Sequence, residues 1–205
     1  MVPADSAPTR LTVDEYFGLV ERGQLRATDR VELLEGVVVS MPPQNPPHAG
    51  GIGRISRLLM TRVGDRAVVR VQLSFMAGGS SVPEPDFAVV PGVPDDYNAR
   101  HPDRAHLIIE VADSSLPSDR LSKSRVYAAA GVPQYWIVNL PGDCVETFAE
   151  PDRTRARYAV TQRLGRGEIV RLTAFPGVEF QVSELLPPMP TYPERVAENW
   201  APDAF

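Results

Sequence analysis

The chain has 205 residues, 43% of them hydrophobic, which is enough for one continuous core. Its formal net charge of −5 argues against a surface built broadly for nucleic-acid phosphates, because such surfaces carry clustered Lys and Arg in excess. A single cysteine, Cys144, excludes an internal disulfide, and no apolar run approaches the ~20 residues of a membrane span. We therefore expect a cytoplasmic protein without a membrane segment, with one domain over residues 1–186 and a Pro-rich C-terminal extension over residues 187–205.

The first third of the chain predicts a helix, a hairpin and a second helix. A Thr-x-x-Glu capping box beginning at Thr12 predicts a helix over about residues 13–22. A Glu-Gly pair at residues 35–36 separates two apolar runs, so a tight hairpin is expected over residues 31–41. Apolar residues then recur at helical spacing over residues 48–63, which predicts a helix that packs on a sheet.

The rest of the chain predicts mainly strands. One helix is expected over residues 118–130, because Gly131 and Pro133 are typical of a helix end. Strands are expected on both sides of it, over residues 68–75, 85–90, 107–112, 134–139, 144–148, 158–162 and 169–172. This order indicates an α/β (α+β) fold with mixed helices and strands.

Two of the predicted strands each carry one carboxylate among apolar neighbours, Asp86 in the first and Glu110 in the second. Burial of an ionised carboxylate is unfavourable unless a cation, a proton or several donors compensate it. If the strands pair, both acids face one cavity, and such a pair suits Mg2+, which prefers oxygen ligands. Lys123 on the following helix is then the candidate to orient or deprotonate a water, with Tyr127 one helical turn further on.

Each of these residues also has an ordinary structural interpretation. Asp86 follows a proline and suits a turn, whereas Glu110 suits a pair with an arginine at the edge of the core. Lys123 lies four residues after Asp119, which is the spacing of an exposed helix ion pair, and Tyr127 suits the core. The residues alone leave both interpretations open.

Five short motifs follow one another along the chain. They are V-E-L-L-E-G at residues 31–36, P-D at 85–86, I-E-V-A-D-S-S at 109–115, Asp119 with Lys123 and Tyr127, and G-V-P-Q-Y-W-I-V at 131–138. In this order they resemble the Uma two-type family, a bacterial group of restriction-endonuclease-like proteins in the PD-(D/E)xK nuclease superfamily. The resemblance covers about residues 11–186 and implies a restriction-endonuclease-like core, a central mixed sheet flanked by helices.

The resemblance also implies a set of site residues and a cofactor. Asp86 and Glu110 would hold Mg2+ or Mn2+, and Glu32 would be a further acid near the site. The superfamily pattern has a lysine two residues after the second acid, where this chain has Ala112, and Lys123 stands where a helix lysine substitutes in the family. The implied function is a metal-dependent endonuclease that hydrolyses nucleic-acid phosphodiester bonds, with DNA as the expected partner and a homodimer as the expected assembly.

The substrate must approach an acidic protein through a local basic rim. Arg54 and Arg57 on the second predicted helix, with His48 at its start, are the predicted substrate-binding residues; a solvated face and a helix cap are their ordinary interpretations. The alternative function is a non-catalytic nucleic-acid or protein binding module on the same fold, which is favoured if Lys123 points to bulk solvent. A closed pocket too narrow for a strand would instead favour hydrolysis of a small phosphorylated metabolite.

Overall fold

A computed structural model of the chain describes residues 10–26, 28–41 and 43–188. The helices are α1 (Val13–Glu21), α2 (Pro46–Val63), α3 (Leu116–Ser118), α4 (Ser124–Ala130) and α5 (Val182–Leu185). The strands are β1 (Val31–Leu34), β2 (Val37–Ser40), β3 (Val68–Val71), β4 (Phe87–Val90), β5 (Leu107–Ala112), β6 (Gln134–Asn139), β7 (Cys144–Asp152), β8 (Arg157–Gly165), β9 (Ile169–Arg171) and β10 (Glu179–Gln181).

Six strands form a central mixed sheet in the order β3-β4-β5-β6-β7-β8. Neighbouring strands are antiparallel except β5 and β6, which are parallel and are connected through the helical segment between them. β1 pairs with β2 and β9 with β10 in two small separate sheets. The predicted α/β fold with a mixed central sheet flanked by helices is therefore confirmed.

The two faces of the central sheet build two cores, because side chains alternate between faces along each strand. Phe87 and Ile109 pack in one core with Ile55 of α2. Ala88 and Ile108 pack in the other core with Tyr127 of α4. Even-numbered residues of β4 and β5 thus face α4. Glu110, and Asp86 just before β4, follow the same alternation and lie on the α4 side.

The N-terminal elements follow the predicted local chemistry. The Thr12 side chain accepts a hydrogen bond from the Glu15 backbone N–H, and the Glu15 carboxylate accepts one from the Thr12 N–H, so the capping box of α1 is confirmed. The β1–β2 turn places Glu35 and Gly36 at φ values of 49° and 82°. Two consecutive left-handed residues are what a two-residue hairpin turn requires, and this hairpin is confirmed too.

Several boundaries differ from the sequence prediction, and three of these differences lie close to the site. The segment over 118–130 is helical as predicted, but it is not one regular α-helix, because a π-helical turn, Asp119–Lys123, separates α3 from α4. The predicted strand over 68–75 ends early, since Gln72 adopts a φ of 50° that no extended strand permits. Helix α2 begins at Pro46 rather than at residue 48, with Asn45 as its cap and proline in the first turn.

Within the described residues, no helix combines the length and the apolar character that a bilayer crossing requires. The predicted C-terminal extension lies outside the described residues from residue 189 onward.

Candidate active site

Asp86 and Glu110 lie side by side at the junction of β4 and β5. Phe87 is paired with Ile109 in this antiparallel ladder, so one further step places Asp86 opposite Glu110 on the same face. The Asp86 backbone N–H donates to Glu110 Oε2 at 3.4 Å, and the Val111 N–H donates to Asp86 Oδ2 at 2.8 Å. Both acids are buried. The structure therefore brings the two sequence-predicted carboxylates together.

Lys123 and Tyr127 reach the same carboxylate from the helical segment that covers this face. Lys123 Nζ donates to Glu110 Oε1 at 3.0 Å, and the Tyr127 hydroxyl donates to the same oxygen at 2.7 Å. Lys123 is 8% exposed, so its ammonium faces the carboxylates and not bulk solvent. It is also the only lysine of the chain, because the other 20 of the 21 Lys and Arg residues are arginines.

Glu32 closes the cluster from the hairpin. Its Oε1 lies 3.5 Å from Lys123 Nζ, and its Oε2 accepts the Glu84 backbone N–H at 3.1 Å. The Glu32 side chain is buried, so it faces this cluster and not solvent. Lys123 is thus held between the carboxylates of Glu32 and Glu110.

Burial sets the electrostatics of the cluster. Desolvation raises the pKa of Glu110 to about 8, although the nearby Lys123 charge opposes the shift. Burial by itself would lower the pKa of Lys123, but the charges of Glu110 and Glu32 outweigh that effect and raise it. Burial also raises the pKa of Tyr127 well above its usual value. Lys123 therefore stays an ammonium ion, and it can donate hydrogen bonds and stabilise negative charge but cannot take up a proton.

Two further side chains fix the Asp86 carboxylate. His48 Nε2 lies 3.1 Å from Asp86 Oδ2, and Gln72 Nε2 donates to Oδ1 at 3.1 Å. The hydrogen bond with Asp86 raises the pKa of His48. His48 stands in the first turn of α2, whose cap Asn45 also donates to the Asp113 carboxylate. The start of α2 is therefore anchored at the site.

The donors present fit a hard divalent ion held by few protein ligands. Among the described residues, no three His, Cys, Asp or Glu side chains form a ready metal-binding group. Mg2+ does not need one, because it keeps several waters and is bound by one or two carboxylates. Glu110 Oε2 accepts only a long hydrogen bond from Asp86 N–H, at 3.4 Å, so it retains capacity for such an ion. Asp86 and Glu110 are the residues that would hold it.

The cluster lies at the floor of a cavity of about 480 Å3. The hairpin forms one side of this cavity, and the segment from Asp113 to Lys123 forms another. From the part of the chain that the structure describes, seven carboxylates and only two Lys or Arg side chains line the cavity, namely Glu32, Glu35, Glu84, Asp86, Glu110, Asp113 and Asp119 against Arg30 and Lys123. The site therefore attracts cations and repels an uncompensated phosphate.

A family model described as "Putative restriction endonuclease", that of Uma2, matches residues 13–183. The chain belongs to the Uma2 family. This confirms the family indicated by the sequence motifs. The fold is also similar to the crystal structure of "a putative nuclease belonging to DUF820" from Anabaena variabilis ATCC 29413, with a TM-score of 0.68 and 15% identity over 85% of this chain and 97% of that chain. A search of curated proteins gave no match.

The predicted substrate-binding residues of this Uma2-family protein lie in different places. His48 lines the cavity, whereas Arg54 and Arg57 do not. Arg62, on the same helix, instead binds the Glu184 carboxylate of α5, with Nη1 to Oε2 at 3.0 Å. The structure does not bring Arg54 and Arg57 to the cavity, and their contact with substrate stays a prediction.

Sequence reasoning missed Asp119 and Gln72 as members of the site. Asp119 begins the π-helical turn, is almost fully buried, lines the cavity and accepts a hydrogen bond from the Ser115 hydroxyl at 2.6 Å. Its burial raises its pKa. Its spacing from Lys123 suggested an exposed ion pair, but the Lys123 ammonium binds Glu110 and Glu32 instead. Gln72 reaches Asp86 only through its left-handed backbone, for which the sequence carries no signal.

Proposed function

We propose that this protein is a metal-dependent nuclease that hydrolyses phosphodiester bonds of nucleic acid, with DNA as the substrate. The observation that carries the proposal is the buried Asp86–Glu110 pair with the charged Lys123 3.0 Å from Glu110, at the floor of an accessible cavity. The description of its family as "Putative restriction endonuclease" supports the same function.

The proposed cofactor is Mg2+ or Mn2+, held by Asp86 and Glu110. When bound, such an ion supplies Lewis-acid stabilisation of phosphate oxygens and a water of lowered pKa. Lys123 stays charged and stabilises negative charge that develops on the phosphate. This role replaces deprotonation of water, because an ammonium with a raised pKa has no basic lone pair.

The other residues hold these groups in position. Tyr127 binds Glu110 Oε1 and thereby fixes the carboxylate rotamer, while Glu32 holds the Lys123 ammonium from the opposite side. Gln72 and His48 perform the same task for the two oxygens of Asp86. Four neutral or charged partners therefore orient two carboxylates and one ammonium before any substrate arrives.

A catalytic site is favoured over a non-catalytic binding module by the orientation of Lys123. A binding module has no use for a buried ammonium between two buried acids, which is costly to desolvate. The 8% exposure of Lys123 supports catalysis. A single domain over residues 1–186, a cytoplasmic location and a homodimer that cuts both strands are further parts of the proposal.

The test is a cleavage assay on labelled DNA and RNA oligonucleotides, in Mg2+, in Mn2+ and in chelator. Cleavage should require the divalent ion and should fall at least ~100-fold in Glu110→Gln, which keeps the side-chain shape but not the charge. Asp65→Asn is the matched control, because Asp65 is exposed and does not line the cavity. Wild-type cleavage by Glu110→Gln would contradict the proposal.

A further inference from the structure

The depth of the acids limits which phosphates can reach them. Asp86, Glu110 and Lys123 are 7%, 4% and 8% exposed, so a reacting phosphate has to enter the cavity. A cavity of about 480 Å3 lies within the ~300–1,000 Å3 range of sites that enclose one ligand of small-molecule size. A cavity of this volume accommodates one nucleotide.

One wall of the cavity presents five apolar side chains beside the acids Glu32 and Glu35. It is made by the hairpin and the chain that follows it, and its apolar members are Leu34, Val37, Val39, Met41 and Pro43. Val37 is 46% exposed although it is apolar and lies in a strand. The flat faces of a nucleobase are apolar, and an unpaired base gains stability when it packs on such a surface.

A second wall is polar and carries hydroxyl groups among the charged side chains of Asp113, Asp119 and Lys123. Four serines line the cavity along the segment before and within the π-helical turn, namely Ser114, Ser115, Ser118 and Ser122. Hydroxyl groups are common donors to phosphate and sugar oxygens and carry no base specificity. The hydroxyls of this wall suit the sugar of one nucleotide, and the apolar side chains of the hairpin suit its base.

The charge of the lining excludes a longer stretch of backbone. Duplex DNA carries one negative charge per ~1.7 Å of helix axis, and each phosphate near this cavity meets a lining with seven carboxylates and two Lys or Arg side chains. Cations at the floor can compensate one phosphate at close range. Neighbouring phosphates of a duplex would remain uncompensated.

We propose that the cavity takes one unpaired nucleotide of a single strand, a proposal that rests on the nuclease function given above. The base packs on the hairpin wall, the sugar follows the serine wall, and the phosphate to be cut reaches the floor. The substrate class is therefore single-stranded nucleic acid, or an unpaired flap or end of a duplex. An intact duplex would first have to expose a nucleotide, which costs unpairing and unstacking of that base.

The deciding experiment compares one sequence as a single strand, as a blunt duplex and as a duplex with an unpaired flap, in the presence of Mn2+. Cleavage should be at least ~10-fold faster on the single strand and the flap, with cuts in the unpaired segment. Equal or faster cleavage of the blunt duplex would overturn the inference and leave the nuclease function standing.

A binding measurement separates failure of the inference from failure of the nuclease function. Fluorescence anisotropy with the Glu110→Gln protein should give tighter binding to the single strand than to the duplex, whether or not any substrate is cut. Tighter duplex binding, or no binding of the single strand, overturns the inference.

Val37→Ser tests the apolar wall directly. It should raise KM for the single strand several-fold and leave the folded protein unchanged, because the side chain is already half exposed. Val160→Ser is the matched control, an exposed strand valine of β8 that does not line the cavity. Identical KM values for the two variants would assign the base to another surface.

Discussion

The Lys123 ammonium lies 3.0 Å from Glu110 Oε1, and both side chains are almost completely buried. The ammonium therefore serves as an internal counter-ion for the group that we propose as a metal ligand once that group has lost its proton. A divalent cation at Glu110 would lie near this positive charge. The lysine and the metal ion are both attracted to the same carboxylate, but they repel each other.

Lys123→Met should reduce cleavage at least ~100-fold while divalent binding becomes as tight or tighter, because the competing positive charge is removed. Titration calorimetry with Mn2+ measures the affinity. Arg125→Met is the control, since this exposed arginine lies two residues away and contacts Glu35.

In wild-type protein labelled with 15N-lysine, the single side-chain signal should shift on Mg2+ addition. Weaker metal binding by the methionine variant would contradict the competition.

Asp86→Asn should remove most of the thermal stabilisation that a divalent ion provides. An ion that binds only the folded state at 100 times its Kd adds about 2.7 kcal/mol, which is about 5–10 °C in Tm for a chain of this size. Differential scanning fluorimetry with Mg2+ and Mn2+ measures the shift, and Asp65→Asn is the control, because Asp65 is exposed and does not line the cavity. A full metal-dependent shift in Asp86→Asn would place the ion elsewhere.

Without metal, the folded protein should lose stability as pH rises from about 4.5 towards 8. Burial raises the pKa of Glu110 from 4.5 to about 8, so in this window the folded state holds a proton that the unfolded state has released. The free energy of unfolding then falls with pH, by at most about 1.4 kcal/mol per unit. Urea unfolding in chelator measures it, and Glu110→Gln should lack this component. Parallel pH profiles for both proteins would count against a raised pKa.

Tyr127→Phe should lower the free energy of unfolding by about 1.5–3 kcal/mol, because the hydrogen bond that it removes is to a charged or proton-sharing carboxyl. Tyr135→Phe is a matched control in the same core, since its hydroxyl donates to the neutral Asp119 carbonyl at 3.1 Å. That variant should be destabilised by only about 1 kcal/mol. Equal destabilisation of the two variants would mean that the Tyr127–Glu110 bond has no special strength.

Charge reversal of Arg54 and Arg57 together should weaken nucleic-acid binding if they bind phosphates beside the cavity. For a single strand, the slope of log K against log salt should flatten by about 0.7 for each phosphate that is no longer neutralised. Reversal of Arg155 and Arg157, near the β7–β8 turn, gives the same change in net charge as a control. Unaltered affinity at every salt concentration would leave the exposed part of α2 as a solvated face.

Local chemistry made much of the fold predictable. The capping box at Thr12 and the Glu35-Gly36 turn depend on neighbouring residues only, and both are found. Asp86 and Glu110 each lie in an apolar strand pattern. Two buried acids can share one compensating cation only if their strands are neighbours, so adjacent strands are expected. The antiparallel register supplies that proximity across 23 intervening residues.

The remaining features depend on packing that periodicity does not encode. The π-helical turn requires one residue more per turn than an α-helix, and its helical sequence pattern does not reveal it. Gln72 turns towards Asp86 through a positive φ without a glycine. Arg54 and Arg57 have a favourable sequence position, but the direction of α2 relative to the cavity decides what they face.

The π-helical turn also makes the site sensitive to chain length. Deletion of Leu121, which is 68% exposed, would allow a regular α-helix through this segment and rotate the residues before it by about 100°. Asp119, Ser115 and Ser118 would leave the cavity, whereas Ser122 would stay in phase with Lys123 and Tyr127, which would keep their contacts with Glu110. A structure of the deletion variant would test this. The one extra residue of the π-helical turn thus keeps the side chains before Leu121 and those after it on the same cavity. Its deletion would separate the two groups without a substitution in either.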